Sequence, residues 1–131
     1  MKLSNSYIGL PEEFYQVVNP TPVKNPKTLI FNEDLADSLG IKLRDEEVSN
    51  FFSGSGLPED SVPIALNYAG HQFGNFVQQL GDGRAVLLGE INTRDGTYDL
   101  QLKGSGRTMF SRQGDGRSAL GPVIREYILS E

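Results

Sequence analysis

The sequence predicts an α+β fold: an antiparallel sheet built on a hairpin, with one long helix packed on it. Residues 86–92 form an apolar run typical of a strand. Asp95-Gly96 follows as a hairpin turn, because glycine supplies the positive φ that a tight turn needs. Residues 98–103 then alternate between apolar and polar side chains, as the second strand of a hairpin does. From residue 118 the apolar period changes to that of a helix.

The alternation in the second strand decides which side chains share a face. Leu100 and Leu102 fall on one face, while Gln101 and Lys103 fall on the other. We therefore expect the leucines to face the core and Lys103 to stand on the polar face of the hairpin.

The predicted helix carries one apolar stripe and one notable carboxylate. Ser118 is the expected N-cap, and Pro122 is tolerable only in the first turn. Glu126 flanks the stripe. No stop signal precedes Glu131, so we expect an incomplete domain, the N-terminal piece of a longer protein. The stripe comprises Leu120, Val123, Ile124, Tyr127 and Ile128.

The first 60 residues are predicted to form an N-terminal extension that is rich in proline and carries short helices. Asn32 opens one helix that Gly40 ends, and a second runs from Asp45 to about Phe52. Residues 61–131 form the second predicted segment, a nucleotide-binding portion cut at its C-terminal end. The prolines of the extension include Pro11, Pro20, Pro22 and Pro26.

Composition excludes several classes of function. A chain of 131 residues is one domain or less, and its net charge of -5 disfavours broad nucleic-acid binding. It has no cysteine, so thiolate metal sites are excluded, and His71 is its only histidine, so multi-histidine sites are excluded too. We expect His71 to play a structural part. Without a long apolar run or a signal pattern, we expect a cytoplasmic protein that does not enter membranes.

The tetrapeptide Gly-Asp-Gly-Arg occurs twice, at 81–84 and 114–117. In each copy the glycines can bring backbone N–H groups close to an anion, and the arginine can bind phosphate oxygens. Each copy also has a structural interpretation. The first can be a β-turn that enters a strand, and in the second Asp115 can cap the helix while Gly116 sets the turn.

The order of Lys103 and Glu126 along the chain is more informative than either residue taken alone. A strand lysine held by a glutamate on the next helix is the pairing that positions phosphates in kinases. Taken singly, Lys103 is typical of a solvated strand residue and Glu126 of an exposed helix carboxylate. The order of strand lysine, glycine-rich loop and helix glutamate favours a phosphate-holding site.

Several longer motifs together resemble the selenoprotein O (YdiU) family. The resemblance covers residues 64–131, about half of the chain. The motifs are Tyr68-Ala-Gly-His-Gln-Phe-Gly74, Gln79-Leu-Gly-Asp-Gly-Arg-Ala85, Gln101-Leu-Lys-Gly-Ser-Gly106, Ser111 through Arg117, and Ile124-Arg-Glu-Tyr127.

The resemblance implies a kinase-like fold, of which this chain would be the N-lobe, and a protein adenylyltransferase activity. Members transfer AMP from ATP to Ser, Thr or Tyr hydroxyls of other proteins, using Mg²⁺ and an inverted nucleotide. By resemblance, the catalytic base and the Mg²⁺ ligands would lie downstream of this fragment, so we expect it to be inactive alone. Glu126 would position the lysine. The residues implied to contact ATP are Gly81, Gly83, Arg84, Lys103, Asp115 and Gly116.

Two other functions remain open. One is conventional phosphoryl transfer with an upright nucleotide, which would use the same Lys103–Glu126 pair. The other is a pseudoenzyme or scaffold that binds ATP without turnover. Arg84 favours the inverted nucleotide, because a cation in the glycine-rich hairpin suits a phosphate lying beneath it rather than an adenine ring.

Overall fold

A computed structural model of the chain describes residues 2–59 and 61–130. It contains an open antiparallel sheet and helices, so the α+β prediction is confirmed at that level. The likeness to a kinase N-lobe stays a prediction. The predicted segment boundary falls at Asp60 and the predicted unfinished helix reaches Glu131, and both residues lie outside the described ones.

The described residues form six strands, three α-helices and two short 3-10 helices. The 3-10 helices span Ser6–Gly9 and Glu12–Phe14. The strands are β1 (Tyr15–Val17), β2 (Ile64–Leu66), β3 (Gly70–Gln72), β4 (Asn75–Val77), β5 (Ala85–Asn92) and β6 (Thr97–Lys103). The α-helices are α1 (Glu33–Ser38), α2 (Asp45–Phe52) and α3 (Leu120–Ser130).

The predicted hairpin forms one side of the main sheet, whose strand order is β1-β2-β5-β6, with β6 at the edge. Strands β5 and β6 pair from Ala85 opposite Lys103 to Asn92 opposite Thr97, so the hairpin prediction is confirmed. Leu102 is buried and Lys103 is exposed, as the alternation predicted. This pairing fixes Lys103 at the end of the sheet where the glycine-rich segments gather.

The N-terminal segment is built into the same sheet. β1 pairs antiparallel with β2, and Ser4 bridges to Glu90 on β5. A Cβ on Gly89 would lie 2.6 Å from the carbonyl oxygen of Ser4, so glycine is what lets this segment cross so closely. Residues from both sides of position 60 also share one core: Leu3, Ala36, Ile41, Phe51, Val86, Leu88, Ile91 and Leu102.

The two short helices of this segment lie where the sequence predicts them. Oδ1 of Asn32 accepts a hydrogen bond from the N–H of Leu35 at 2.9 Å and so caps α1. Gly40 follows α1 with φ at +68°, the left-handed conformation that ends many helices. At the start of α2, the Glu47 carboxylate accepts from the Arg44 N–H at 2.9 Å.

The third helix departs from prediction in two ways. It begins at Leu120, and the buried Oγ of Ser118 has no hydrogen-bond partner, so the prediction that Ser118 caps it is wrong. Pro122 does lie in the first turn, as expected. No described residue of α3 is buried, and Ile128 and Leu129 are 66% and 79% exposed. The apolar stripe therefore does not pack on the sheet as the sequence predicted.

Candidate nucleotide site

A polar cleft of about 560 Å³ opens between residues 81–84, the end of β6 and the loop 104–117. A second groove, of about 480 Å³ and mainly apolar, lies beside α1 and α2 and does not suit a phosphate. The polar cleft brings together every residue that the sequence assigned to ATP. These lining residues are Gly81, Gly83, Arg84, Lys103, Asp115 and Gly116.

The first glycine-rich turn uses its own backbone donors internally. The N–H groups of Gly81 and Asp82 donate to the carbonyls of Tyr68 and Leu66 at 3.2 and 2.8 Å. That of Gly83 donates to the carbonyl of Gly81 at 3.1 Å. These amides already have acceptors, so the turn does not offer a free cradle of N–H groups to an anion.

The glycines of this turn instead admit a neighbouring aromatic ring. A Cβ on Gly81 would lie 2.5 Å from Cγ of Phe110, and one on Gly83 would lie 3.0 Å from the Phe110 carbonyl oxygen. Gly81 also has φ at +59°, which favours glycine. Because glycine has no side chain, the loop 104–117 can close over the turn and form the cleft.

Asp82 is the residue that sequence reasoning overlooked. Only 6% of it is exposed, and its Oδ2 accepts from the N–H of Leu66 at 3.0 Å and from Nε2 of Gln101 at 3.3 Å. Its Oδ1 accepts from the hydroxyl of Tyr68 at 2.9 Å. One carboxylate thus ties β2, β6 and the glycine turn together. The only signal in the sequence was that Gln101 shares a strand face with Lys103.

The loop 104–117 is fastened to this turn by side-chain hydroxyls. Oγ1 of Thr108 donates to the carbonyl of Asp82 at 2.6 Å. Oγ of Ser111 donates to the carbonyl of Gly83 at 2.5 Å. On the other side of the loop, the Met109 N–H donates to Oε1 of Gln16 in β1 at 2.7 Å. The cleft therefore depends on contacts from three separate parts of the chain.

Lys103 and Glu126 form the ion pair that the sequence predicted. Their pairing depends on Gly104, where a Cβ would lie 2.7 Å from both Cβ and the amide nitrogen of Ser118. Because Gly104 has no side chain, the end of β6 can lie close to the start of α3. The hydrogen bond from Lys103 lowers the pKa of Glu126, and the charges of Lys103 and Arg84 lower it further. The carboxylate therefore stays ionised and holds the lysine at the cleft.

The arginines of the cleft differ in their partners. Within residues 2–59 and 61–130, the guanidinium of Arg84 forms no hydrogen bond or ion pair, although its charge reaches Glu126. Arg112 donates to the side-chain carbonyl of Gln72. Arg117 donates to backbone carbonyls. Arg84 is thus the arginine whose guanidinium is available to an incoming anion.

Asp115 shapes the second copy of the motif. Its Oδ1 accepts from the N–H of Arg117 at 2.9 Å, which is a local turn. The helix begins only at Leu120, so Asp115 does not cap it. Gly116 has φ at +74°, and a Cβ there would lie 2.0 Å from the carbonyl oxygen of Gly106. The structure therefore requires glycine at this position for close backbone packing.

His71 lies at the edge of this region. It is exposed on the β3–β4 hairpin, and its ring meets that of Phe76 edge-on with centroids 5.5 Å apart. The structural role expected of His71 stays a prediction.

The described residues offer neither a metal cluster nor a membrane-spanning helix. Among residues 2–59 and 61–130, no three His, Asp or Glu side chains converge as metal ligands. In the same part of the chain, no helix is long and apolar enough to cross a bilayer.

Comparison with known proteins identifies the family to which this sequence is similar. The family model described as protein adenylyltransferase SelO matches residues 1–131. Among curated proteins, the protein nucleotidyltransferase YdiU of Maridesulfovibrio salexigens is 58% identical over 134 residues, covering 100% of this chain. The protein of the same name from Agrobacterium fabrum is 56% identical and also covers 100% of this chain.

These relatives are much longer than the chain, which covers 27% and 28% of their respective lengths. A third, from Rhodopseudomonas palustris strain HaA2, is 58% identical over 97% of this chain and 27% of its own length. The match over all 131 residues extends the resemblance to residues 1–63, which lie outside the motifs described above. This chain belongs to the SelO family of protein adenylyltransferases.

Proposed function

We propose that this chain is the N-terminal, nucleotide-binding part of a transferase that moves AMP from ATP to Ser, Thr or Tyr hydroxyls of proteins. The observation that carries the proposal is the arrangement of cations at the polar cleft. Among the residues that the structure describes, the Arg84 guanidinium has no partner, and Lys103 is held by Glu126. A cleft lined by a free guanidinium and an oriented ammonium suits a polyphosphate.

The residues have distinct parts in this proposal. Arg84 and Lys103 bind phosphate oxygens, and Glu126 keeps the ammonium of Lys103 directed at the cleft. Asp115 and Gly116 form the facing wall. Gly81 and Gly83 serve indirectly, because they admit Phe110 and set the position of Arg84. Polar positioning of this kind is the main source of catalysis in phosphoryl-type transfer.

The proposed reaction is a nucleophilic substitution at the α-phosphorus of ATP. The acceptor hydroxyl oxygen forms a bond to the α-phosphorus, the bond from that phosphorus to the bridging oxygen breaks, and pyrophosphate leaves. The hydroxyl proton passes to a base that we place outside this chain. Mg²⁺ would neutralise developing charge, and we place its ligands outside this chain as well, since no described cluster fits it. We therefore propose that the chain alone does not catalyse transfer.

The test uses the full-length protein with Mg²⁺ and ATP labelled in either the α- or the γ-phosphate. Label on protein from the α-position only supports the proposal. Label from the γ-position only identifies a kinase, and ATP binding with no label identifies a pseudoenzyme. Either of these results overturns it.

Three substitutions link that activity to the cleft. Arg84→Ala and Lys103→Ala should each weaken ATP binding about 10- to 100-fold, because hydrogen bonds to charged groups contribute about 1.5–3 kcal/mol. Arg94→Ala is the matched control, since Arg94 is exposed at the opposite end of the hairpin. Equal ATP affinity in all three variants would place the nucleotide elsewhere.

A further inference from the structure

The two Gly-Asp-Gly-Arg copies are identical in sequence, but their arginines have different surroundings. The guanidinium of Arg84 has no acceptor among the described residues. That of Arg117 donates from Nη2 to the carbonyls of Thr21 and Pro22, at 3.0 and 3.4 Å. A guanidinium engaged by two backbone carbonyls is oriented by the protein before any ligand arrives.

The acceptors belong to the proline-rich segment 20–22, which we call the strap. Its Thr21 N–H donates to the carbonyl of Ser105 at 2.7 Å. A Cβ on Gly106 would lie 2.3 Å from Oγ1 of Thr21, so the strap lies directly on the loop backbone. Prolines suit this position because they reduce the conformational freedom of the segment.

The loop beneath the strap leads directly to the second motif. The N–H of Gly106 donates to the carbonyl of Gly116 at 3.2 Å, and these two backbones are in direct contact. The strap, Gly106 and Gly116 therefore form three backbone layers. Arg117 follows Gly116 in the chain, and its side chain reaches back to donate a hydrogen bond to the strap.

We propose that Arg117 is a positioning residue that fastens the Asp115-Gly116 wall of the cleft to the strap, rather than a phosphate ligand. The two motif copies then divide the work: Arg84 binds the anion and Arg117 fixes the loop that faces it. The effect on nucleotide affinity rests on the proposed function, whereas the fastening of the loop does not.

The experiment compares hydrogen exchange without nucleotide and ATP affinity in the full-length protein and three variants. Arg117→Ala removes the donor to the strap. Thr21→Pro removes the N–H that donates to Ser105 and alters no residue that lines the cleft. Arg84→Ala removes a cation from the same cleft and leaves the strap intact, so it is the matched control. The Tm of each variant shows that it is folded.

We expect faster exchange of the amides in residues 105–116 in both Arg117→Ala and Thr21→Pro, by about 3- to 10-fold for each hydrogen bond lost. Both variants should also bind ATP about 3- to 10-fold more weakly. Arg84→Ala should lose affinity while its exchange in the loop stays unchanged.

Two results would overturn the proposal. Loss of ATP affinity in Arg117→Ala without faster exchange would make Arg117 a phosphate ligand. Unchanged ATP affinity in Thr21→Pro would show that the strap does not position the nucleotide wall. If the unaltered protein fails to bind ATP, the proposed function fails, and the exchange data still decide whether Arg117 fastens the loop.

Discussion

The hydroxyl of Tyr68 donates a hydrogen bond to Oδ1 of Asp82, at 2.9 Å. The carboxylate it meets is buried at the base of the candidate site and has no cation partner among the described residues. Its other acceptor positions serve Leu66 and Gln101. The glycine turn that carries Arg84 thus depends on a carboxylate held entirely by neutral donors.

We expect Asp82→Ala to reduce the free energy of unfolding by about 2 kcal/mol, since it leaves three part-buried hydrogen bonds without their acceptor. Asp82→Asn is the matched control. Its oxygen can serve Leu66 and Gln101, and its NH₂ can donate to a reversed Tyr68 hydroxyl, so its loss should be smaller. Urea unfolding measures both, and equal stability of Asp82→Ala and the unaltered chain would contradict this reading.

In an alkaline titration, Tyr68 should ionise at a higher pH than an ordinary tyrosine among the five in the chain. Burial, with the hydrogen bond and charge of Asp82, raises its pKa from 10.0 to about 12. Because the folded-state value is raised, its contribution to stability is present below pH 10 and is lost as pH rises toward 12. Alkaline titration of tyrosine absorbance should show a late step that Tyr68→Phe lacks. A late step that persists in Tyr68→Phe would assign it to another tyrosine.

Glu126→Gln should weaken ATP binding and leave stability nearly unchanged, because the Lys103–Glu126 pair is exposed and an exposed pair stabilises little. The pKa of Glu126 is lowered, first by the hydrogen bond from Lys103, so the pair persists at neutral pH and is lost as pH falls below 4.5. Glu46→Gln, on α2 and outside the cleft, is the control for calorimetric titration with ATP. If Glu126→Gln and Glu46→Gln bind ATP equally well, Glu126 has no part in nucleotide binding.

Gly104→Ala should destabilise the chain by about 1–3 kcal/mol, because residue 104 has φ at +82° and its new Cβ would meet Ser118. Gly9→Ala should instead be neutral or stabilise by up to about 1 kcal/mol, since residue 9 has no positive φ and a Cβ there would meet nothing within 4 Å. Urea unfolding of both variants tests the pair. A harmless Gly104→Ala would mean that β6 and α3 need not approach so closely.

The exposed apolar side chains at the end of α3 should make the 131-residue chain self-associate at high concentration. Ile128→Lys and Leu129→Lys together should reduce this association, because both side chains face solvent in the single chain. Leu29→Lys, on another exposed leucine, is the matched control. Sedimentation velocity separates the cases, and a monomer at all concentrations would contradict the prediction.

The parts of the fold that the sequence predicts are those specified by local turn, alternation and capping patterns. The hairpin follows from Asp95-Gly96 and the alternation after it, and α1 follows from its cap at Asn32 and its glycine stop. Each of these signals lies within a few residues of the structure it specifies. The chemistry of Lys103 and Glu126 was predictable for a related reason, since their pairing depends on the order of two adjacent elements.

Contacts between distant segments were not predictable in this way. Nothing near Asp82 in sequence indicates that Leu66 and Gln101 donate to it, and nothing near Arg117 indicates the strap. The helical stripe of α3 predicts an apolar face but not what covers it. Ser118 does not cap α3 because the helix begins at Leu120, one residue later than a cap at Ser118 predicts.

The bridge between Ser4 and Glu90 has a consequence for the order of folding. The two residues are 86 positions apart, so the first segment cannot find its partner until β5 has been synthesised. At typical rates of translation that wait is about 4 to 17 seconds. During it, Leu3 has no β5 to pack against, and β1 can pair only once β2, at residues 64–66, has been made. The earliest part of the chain to emerge from the ribosome is therefore among the last to be locked in place.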